Sequence, residues 1–400
     1  MTDNIFSKFD GKSIFNDKNV LSINFVPDKI KHRDDQIGEL TACLAPVLKG
    51  YQPSNIFIYG KTGTGKTMSV QFVLEQLIDA VSSSGKKAIP VRPIFINCKM
   101  KRVADTEYRL FAKLLSELGV SVPDTGLPTD VLYRQFFEKI DEKKQTIVLA
   151  LDEIDALVQK VGDEFLYNLT RAGNDLKKAS ISVVGITNDL SFADRLDARV
   201  KSSLGEEEIL FRPYDAIQLK DILKERATDA FVPGSVDDLV LSKCAALAAQ
   251  EHGDARRALN LLRVSGEIAE RNGSDKILEE HVDHAERKID SDRIIETVRA
   301  LPRQSQLVLV SIIKLINSDG KKDTTTGDVF EKYRNICAET GYNHLTQRRV
   351  SDLIGELDLL GIITAKVVST GRYGRSRKIY LAISGDVLEK IEEMLQKQFF

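Results

Sequence analysis

From residue 55 to residue 211 the chain alternates short apolar runs with longer stretches in which apolar residues recur every three or four positions. The runs fall at 55–60, 92–97, 146–151, 181–187 and 207–211, and several are apolar at nearly every position. Such runs separated by amphipathic stretches predict parallel strands covered by helices on both faces. At Phe211-Arg212-Pro213-Tyr214 the pattern stops. Residues 215–288 read as helices alone, with breaks at Pro233-Gly234, His252-Gly253 and Asn272-Gly273-Ser274. A third pattern begins near 290. It predicts helices over 303–317, 325–340 and 346–360, then a hairpin of strands 362–369 and 378–383 around a turn at 370–377. Residues 1–22 read as a loosely structured arm. The expected organisation is therefore an arm (1–22), an α/β domain (23–212), a helical domain (213–288) and a mixed domain (289–400).

Chemistry enters behind the first apolar run. Residues 60–67 read Gly-Lys-Thr-Gly-Thr-Gly-Lys-Thr, the phosphate-cradling P-loop pattern. Glycines let the backbone wrap so that N–H groups face phosphate oxygens, and the start of a helix adds its positive dipole end. Gly60, Thr62, Gly63, Thr64, Gly65, Lys66, Thr67 and Met68 are the candidate nucleotide contacts. Lys66 would reach the β- and γ-phosphates, and the Thr67 hydroxyl would ligate Mg²⁺. The run at 146–151 ends in Asp152-Glu153. There Asp152 can hold the metal and Glu153 can polarise the attacking water as general base. Asp155 reads as a helix-start residue. The next run ends Thr187-Asn188-Asp189, which puts Asn188 in reach of that water or of the γ-phosphate.

Composition narrows the classes. The formal net charge of −2 rules out bulk attraction to nucleic acid, so any such binding needs a local basic surface. The hairpin provides one: Lys366 to Lys378 holds five basic residues and no acid. Val350, Leu353, Ile354 and Leu357 form the apolar stripe of the preceding helix, leaving Gln347, Arg348 and Arg349 outward at its start. A helix presenting its first residues, followed by a basic hairpin carrying Arg372, Tyr373, Gly374, Arg375 and Arg377, resembles a winged helix, whose hairpin arginines would contact phosphates or the minor groove of duplex DNA. Such a module can also serve as a protein-binding surface. The four cysteines are far apart, which excludes a zinc ribbon or a disulfide framework. His281 and His284 stand three apart with no third ligand near in sequence and read as a solvated helix face. No signal-like leader or apolar span of membrane length appears, so a cytoplasmic, nucleoid-associated protein is expected.

The series strand, GKTGTGKT, helix, LALDEID, GITND and helical segment resembles the AAA+ ATPases. That resemblance implies a five-stranded parallel sheet with a helical lid, ATP/ADP and Mg²⁺ as ligands, and Asn188 as the polar sensor of the γ-phosphate. It also implies a lid arginine in HGDARRAL, Arg256 or its neighbour Arg257, and an arginine finger acting on an adjacent subunit, Arg199 or Arg195 in LDARVKSSL. Residues 26–33 resemble the segment that packs on adenine, which adds Val26 and Arg33, and Tyr214 at the junction joins the nucleotide set. With the basic winged helix, residues 20–400 resemble the archaeal replication initiators related to the origin recognition complex and cell-division-control ATPases. In that family residues 105–129 correspond to an extra helical motif, with 126–129 as its loop. The implied activity is slow, switch-like ATP hydrolysis. The implied partners are double-stranded origin DNA, the replicative helicase, and other copies or paralogues on DNA, with no membrane. A loader of helicases or clamps acting through protein contacts, and a winged-helix signalling ATPase, are the competing readings.

Overall fold

The computed structural model describes residues 13–23, 25–83, 89–100, 106–123, 126–172, 176–319, 323–369, 375–383 and 385–400. The chain divides into two compact units, Met1–Val282 and Asp283–Phe400, the break lying ahead of the expected boundary at 288.

The first unit is built on five parallel strands, β1 (Ile56–Gly60), β2 (Val91–Asn97), β3 (Thr146–Asp152), β4 (Ser180–Thr187) and β5 (Glu207–Phe211). Their order is β2-β3-β4-β1-β5. Alternate residues serve opposite faces. Ile56, Ile58, Val148, Ala150, Val184 and Ile186 meet Val70, Val73, Leu74 and Leu77 of the helix Lys66–Ser83. Phe57, Ile147, Leu149, Leu151, Ile181 and Val183 face the other way, onto Leu110, Phe111 and Leu114 of the helix Glu107–Glu117 and Phe136 and Ile140 of Thr129–Asp141. The helix Glu107–Glu117, which lies within the segment expected as an extra motif, is thus part of the sheet's cover. Each fully buried side chain of this kind contributes about 1.5–3 kcal/mol.

The order matters for function. β4 lies between β3 and β1, so three adjacent carboxyl ends deliver Asp152, Asn188 and the P-loop to one edge. Ligands bind at that edge of open parallel sheets.

Helices Ala216–Ala230, Asp238–Gln250 and Ala255–Arg271 follow the sheet in the same unit. Residues 13–22 correct the expectation of a loose arm, because they pack on these helices. Ile14, Val20 and Leu21 are buried, Phe15 stacks on Phe231 at 4.7 Å, and Val232 N donates to Ile14 O at 2.9 Å. The docking place is Gly266, where a Cβ would lie 2.5 Å from the Phe15 ring. His281 is also corrected: it is buried and its Nδ1 accepts from Leu278 N at 3.1 Å, while His284 is exposed.

The second unit packs helices Arg303–Asp319, Thr326–Thr340, Gln347–Leu359 and Asp386–Phe399 with a small antiparallel sheet. Its strands are β6 (Thr324–Thr325), β7 (Ile363–Ser369) and β8 (Arg375–Leu381), in the order β6-β8-β7. β8 begins at Arg375 rather than Lys378, because pairing runs on to Ser369↔Arg375. Arg375 and Arg377 therefore sit in a strand and not in the turn.

Candidate nucleotide site and nucleic-acid surface

The P-loop is shaped by positive φ at Gly63 (70°) and Gly65 (88°), a region glycine enters at no steric cost. No side chain would fit there: a Cβ on Gly63 would lie 1.7 Å from Asp254 Oδ1, and one on Gly65 2.8 Å from the Tyr214 hydroxyl. On Gly60 it would meet Phe211 O at 2.3 Å, so that glycine permits the pairing of β1 with β5.

The buried Lys66 ammonium donates to Gly60 O and Lys61 O, both at 2.7 Å, and to Asn188 Oδ1 at 2.8 Å. Burial lowers its pKa to about 8, opposed by the Asp152 carboxylate and reinforced by Arg256. Thr67 Oγ1 donates to Asp152 Oδ2 at 3.0 Å, and Asn97 Nδ2 approaches the same oxygen at 3.3 Å. Burial pushes the Asp152 carboxyl up, partly offset by the Thr67 hydrogen bond. Glu153 takes a left-handed backbone, φ 53°, as β3 turns into the helix Ile154–Val161. That conformation costs a non-glycine residue roughly 1 kcal/mol and is typical of functional positions. Asn188 Nδ2 donates to Glu153 Oε1 at 3.3 Å, so one amide bridges the lysine and the candidate base. Asp155 does not cap the helix; it lies in the first turn and accepts from the Thr187 hydroxyl at 2.7 Å.

These groups line one cavity of about 530 Å³. Gly63, Thr64, Gly65, Lys66, Thr67, Met68, Asp152, Glu153 and Asn188 border it from the sheet edge, Val26 and Ile30 from the N-terminal segment, and Tyr214, Ile222 and Arg256 from the lid side. Ala255 N donates to Gly63 O at 3.2 Å, which fastens the lid to the P-loop. Arg256 lines the cavity, whereas Arg257 pairs with Glu251 at 3.1 Å. Thr62 is exposed.

Arg33 departs from its expected adenine contact. It is buried, donates to Thr64 O (2.8 Å), Arg212 O (2.7 Å) and His32 O (3.0 Å), and stacks on Tyr214 at 3.7 Å. Its donors are used on the backbone, so it fixes the P-loop to the end of β5.

Arg199 lies outside this cavity. It is exposed, pairs with Asp197 at 3.0 Å and lies over Tyr167, while the reserve Arg195 pairs with Asp189. An arginine serving a neighbouring subunit needs such exposure. Two hard oxygens beside a buried ammonium and a glycine cradle fit a magnesium-bound triphosphate.

Sequence reasoning missed Asn97, Asp254, Arg226 and Leu259. Asn97 carried a signal, since it closes an apolar run as Asn188 does. Asp254 and Leu259 lie in the HGDARRAL segment beside Arg256, at the start of the helix Ala255–Arg271, whereas Arg226 comes from a separate helix and carried no signal.

In the second unit Gln347, Arg348 and Arg349 are exposed at the start of their helix, behind an N-cap in which Thr346 accepts from Arg349 N. Arg349 is held by Glu356 (3.5 Å) and Asp352 (3.9 Å). Arg377 reaches back to Ser351 O at 3.3 Å. Arg372, Tyr373 and Gly374 lie outside the described residues. No helix among the described residues is long and apolar enough to cross a membrane.

Family models match all three parts: an AAA domain over residues 49–192, the Cdc6 AAA+ ATPase-type lid domain over 220–287, and the CDC6 C-terminal winged helix domain over 296–391. The ORC1-type DNA replication protein 1 of Methanosarcina mazei is 51% identical over 97% of this chain and 93% of its own length. The ORC1-type DNA replication protein of Pyrococcus horikoshii is 51% identical over 96% and 91%. Among solved structures, the Aeropyrum pernix ORC1 protein in complex with DNA matches with a TM-score of 0.82 and 43% identity, covering 97% of this chain and 98% of that one.

Proposed function

Because this chain belongs to the ORC1-type DNA replication proteins of the Cdc6 family, with AAA+ ATPase and winged-helix domains, we propose that it is an ATP-dependent initiator that binds origin duplex and helps load the replicative helicase. The observation that carries the reading is the meeting of Lys66, Thr67, Asp152, Glu153, Asn188 and Arg256 around one cavity, in a chain that also exposes Gln347 and Arg348 at the start of a helix beside a basic hairpin. The relative from Aeropyrum pernix was solved on DNA.

In this mechanism the P-loop and Lys66 hold the phosphates, and Arg256 offsets charge on the γ-phosphate from the lid. Thr67 and Asp152 would hold Mg²⁺, which when bound neutralises charge on the phosphate oxygens. Glu153 accepts a proton from the attacking water, and Asn188 orients that water relative to the phosphate. Arg199 acts on the nucleotide of another copy on DNA, so hydrolysis is slow in the isolated chain and ATP serves as a switch. The chain works on the nucleoid, in the cytoplasm. Gln347 and Arg348 read base edges, and the hairpin arginines contact phosphates or the minor groove.

A gel-shift series with origin and random duplex of equal length, with and without ATP, tests this. Selective binding of origin is expected. Equal affinity for both duplexes refutes it in favour of a loader working through protein contacts.

A further inference from the structure

The cavity is lined by the apolar side chains Ile23, Val26, Ile30, Ile222 and Leu259 and also by a buried cation. Arg226, on the helix Ala216–Ala230, is 7% exposed, and its guanidinium stacks over Phe25 at 4.5 Å. Its Nη1 has no hydrogen-bond partner among the described residues. The acids near it do not satisfy it. Asp221 and Glu225 are held by Lys31 at 3.1 and 3.3 Å, and Glu225 and Asp229 attract Arg226 without a hydrogen bond. Burial therefore works against the charge.

A desolvated charged donor left unmade is costly, and a guanidinium offers only donors. The missing group must be an acceptor. The triphosphate end already has Lys66 and Arg256, whereas Phe25 under the Arg226 guanidinium and the apolar side chains that line the same cavity suit an aromatic base. A purine brings ring nitrogens that accept. We infer that Arg226 reads the nucleobase, donating to a ring nitrogen of the purine and setting the specificity of the cavity for the base. This rests on the nucleotide reading above and adds to it a residue that distinguishes the base from the phosphates.

The test uses the full chain and calorimetric titration with ATP, inorganic tripolyphosphate, and 1-deaza-, 3-deaza- and 7-deaza-ATP. Arg226→Met keeps the apolar stem and removes the donor. It should weaken ATP about tenfold, the scale of one charge-assisted hydrogen bond, and leave tripolyphosphate unchanged. The wild type should bind one of the three deaza analogues about tenfold more weakly than ATP, and Arg226→Met should no longer discriminate against that analogue. If the wild type binds all three analogues as it binds ATP, the proposal is overturned, and that comparison needs no folded variant. Equal loss of ATP and tripolyphosphate in Arg226→Met overturns it too, because the contact is then to phosphate. A wild type that binds neither ATP nor tripolyphosphate refutes the nucleotide reading itself.

Discussion

Gly63 and Asp254 show how closely single residues are fitted at the site. The lid aspartate lies where a P-loop side chain would begin, 1.7 Å from a Cβ at Gly63, and the local φ of 70° is unfavourable for any L side chain. Gly63→Ala must push the lid off the loop. Its ATP affinity should fall by about tenfold or more, on the scale of the roughly 1–2 kcal/mol that a left-handed alanine costs. The double variant with Asp254→Gly should recover part of the loss by calorimetry, since only the steric component is relieved. Glu153 presents the opposite case: it touches Asn188 but makes none of the Lys66 or Thr67 contacts that would hold phosphate. Glu153→Gln should keep ATP bound while turnover falls by at least about 10², the scale of a lost general base. Normal turnover in that variant removes Glu153 as the base. The P-loop, Asp152, Glu153 and Asn188 were readable because each closes an apolar run at a strand end. Arg33 was not, because its use depends on the carbonyls of Thr64 and Arg212, two segments far from it along the chain.

At the scale of elements, the apolar runs located every strand of the large sheet to within a residue or so; β3 and β4, covered on both faces, are buried nearly throughout, while the edge strands β2 and β5 alternate buried and more exposed positions. Pattern failed where order comes from a partner. The segment 13–22 has no repeating pattern, only isolated apolar residues that find a groove on the lid helices. Phe15→Ala should cost about 2 kcal/mol and lower the melting temperature of the first unit by about 5 °C in calorimetry. No change would mean that the contact with Phe231 and Gly266 is not held in solution. β6 is two residues long and exists only as a neighbour of β8, and β8 itself extends toward the hairpin tip because β7 offers paired positions as far as Ser369.

At the scale of the whole molecule, a net charge of −2 requires that any grip on DNA be local. Arg372→Ala with Arg375→Ala should weaken origin binding and reduce the slope of log affinity against log salt by about two, at roughly 0.9 per phosphate contact released. An unchanged slope removes the hairpin from the interface. Arg377→Ala should alter that slope less, since its guanidinium is already directed to Ser351 O. The sequence by itself determined the class of sheet, the P-loop, the acids and the polar Asn188 at strand ends, and the helix-then-basic-hairpin layout of the second unit. All of these are written in spacing along one stretch of chain. Only the tertiary structure decided that Arg256 rather than Arg257 borders the cavity, that Arg33 serves the loop's backbone, that His281 is interior, and that Arg226 lies buried with a donor unmet. Those outcomes depend on which side chains from distant segments meet and which hydrogen-bond partners they leave one another, and no local pattern encodes that.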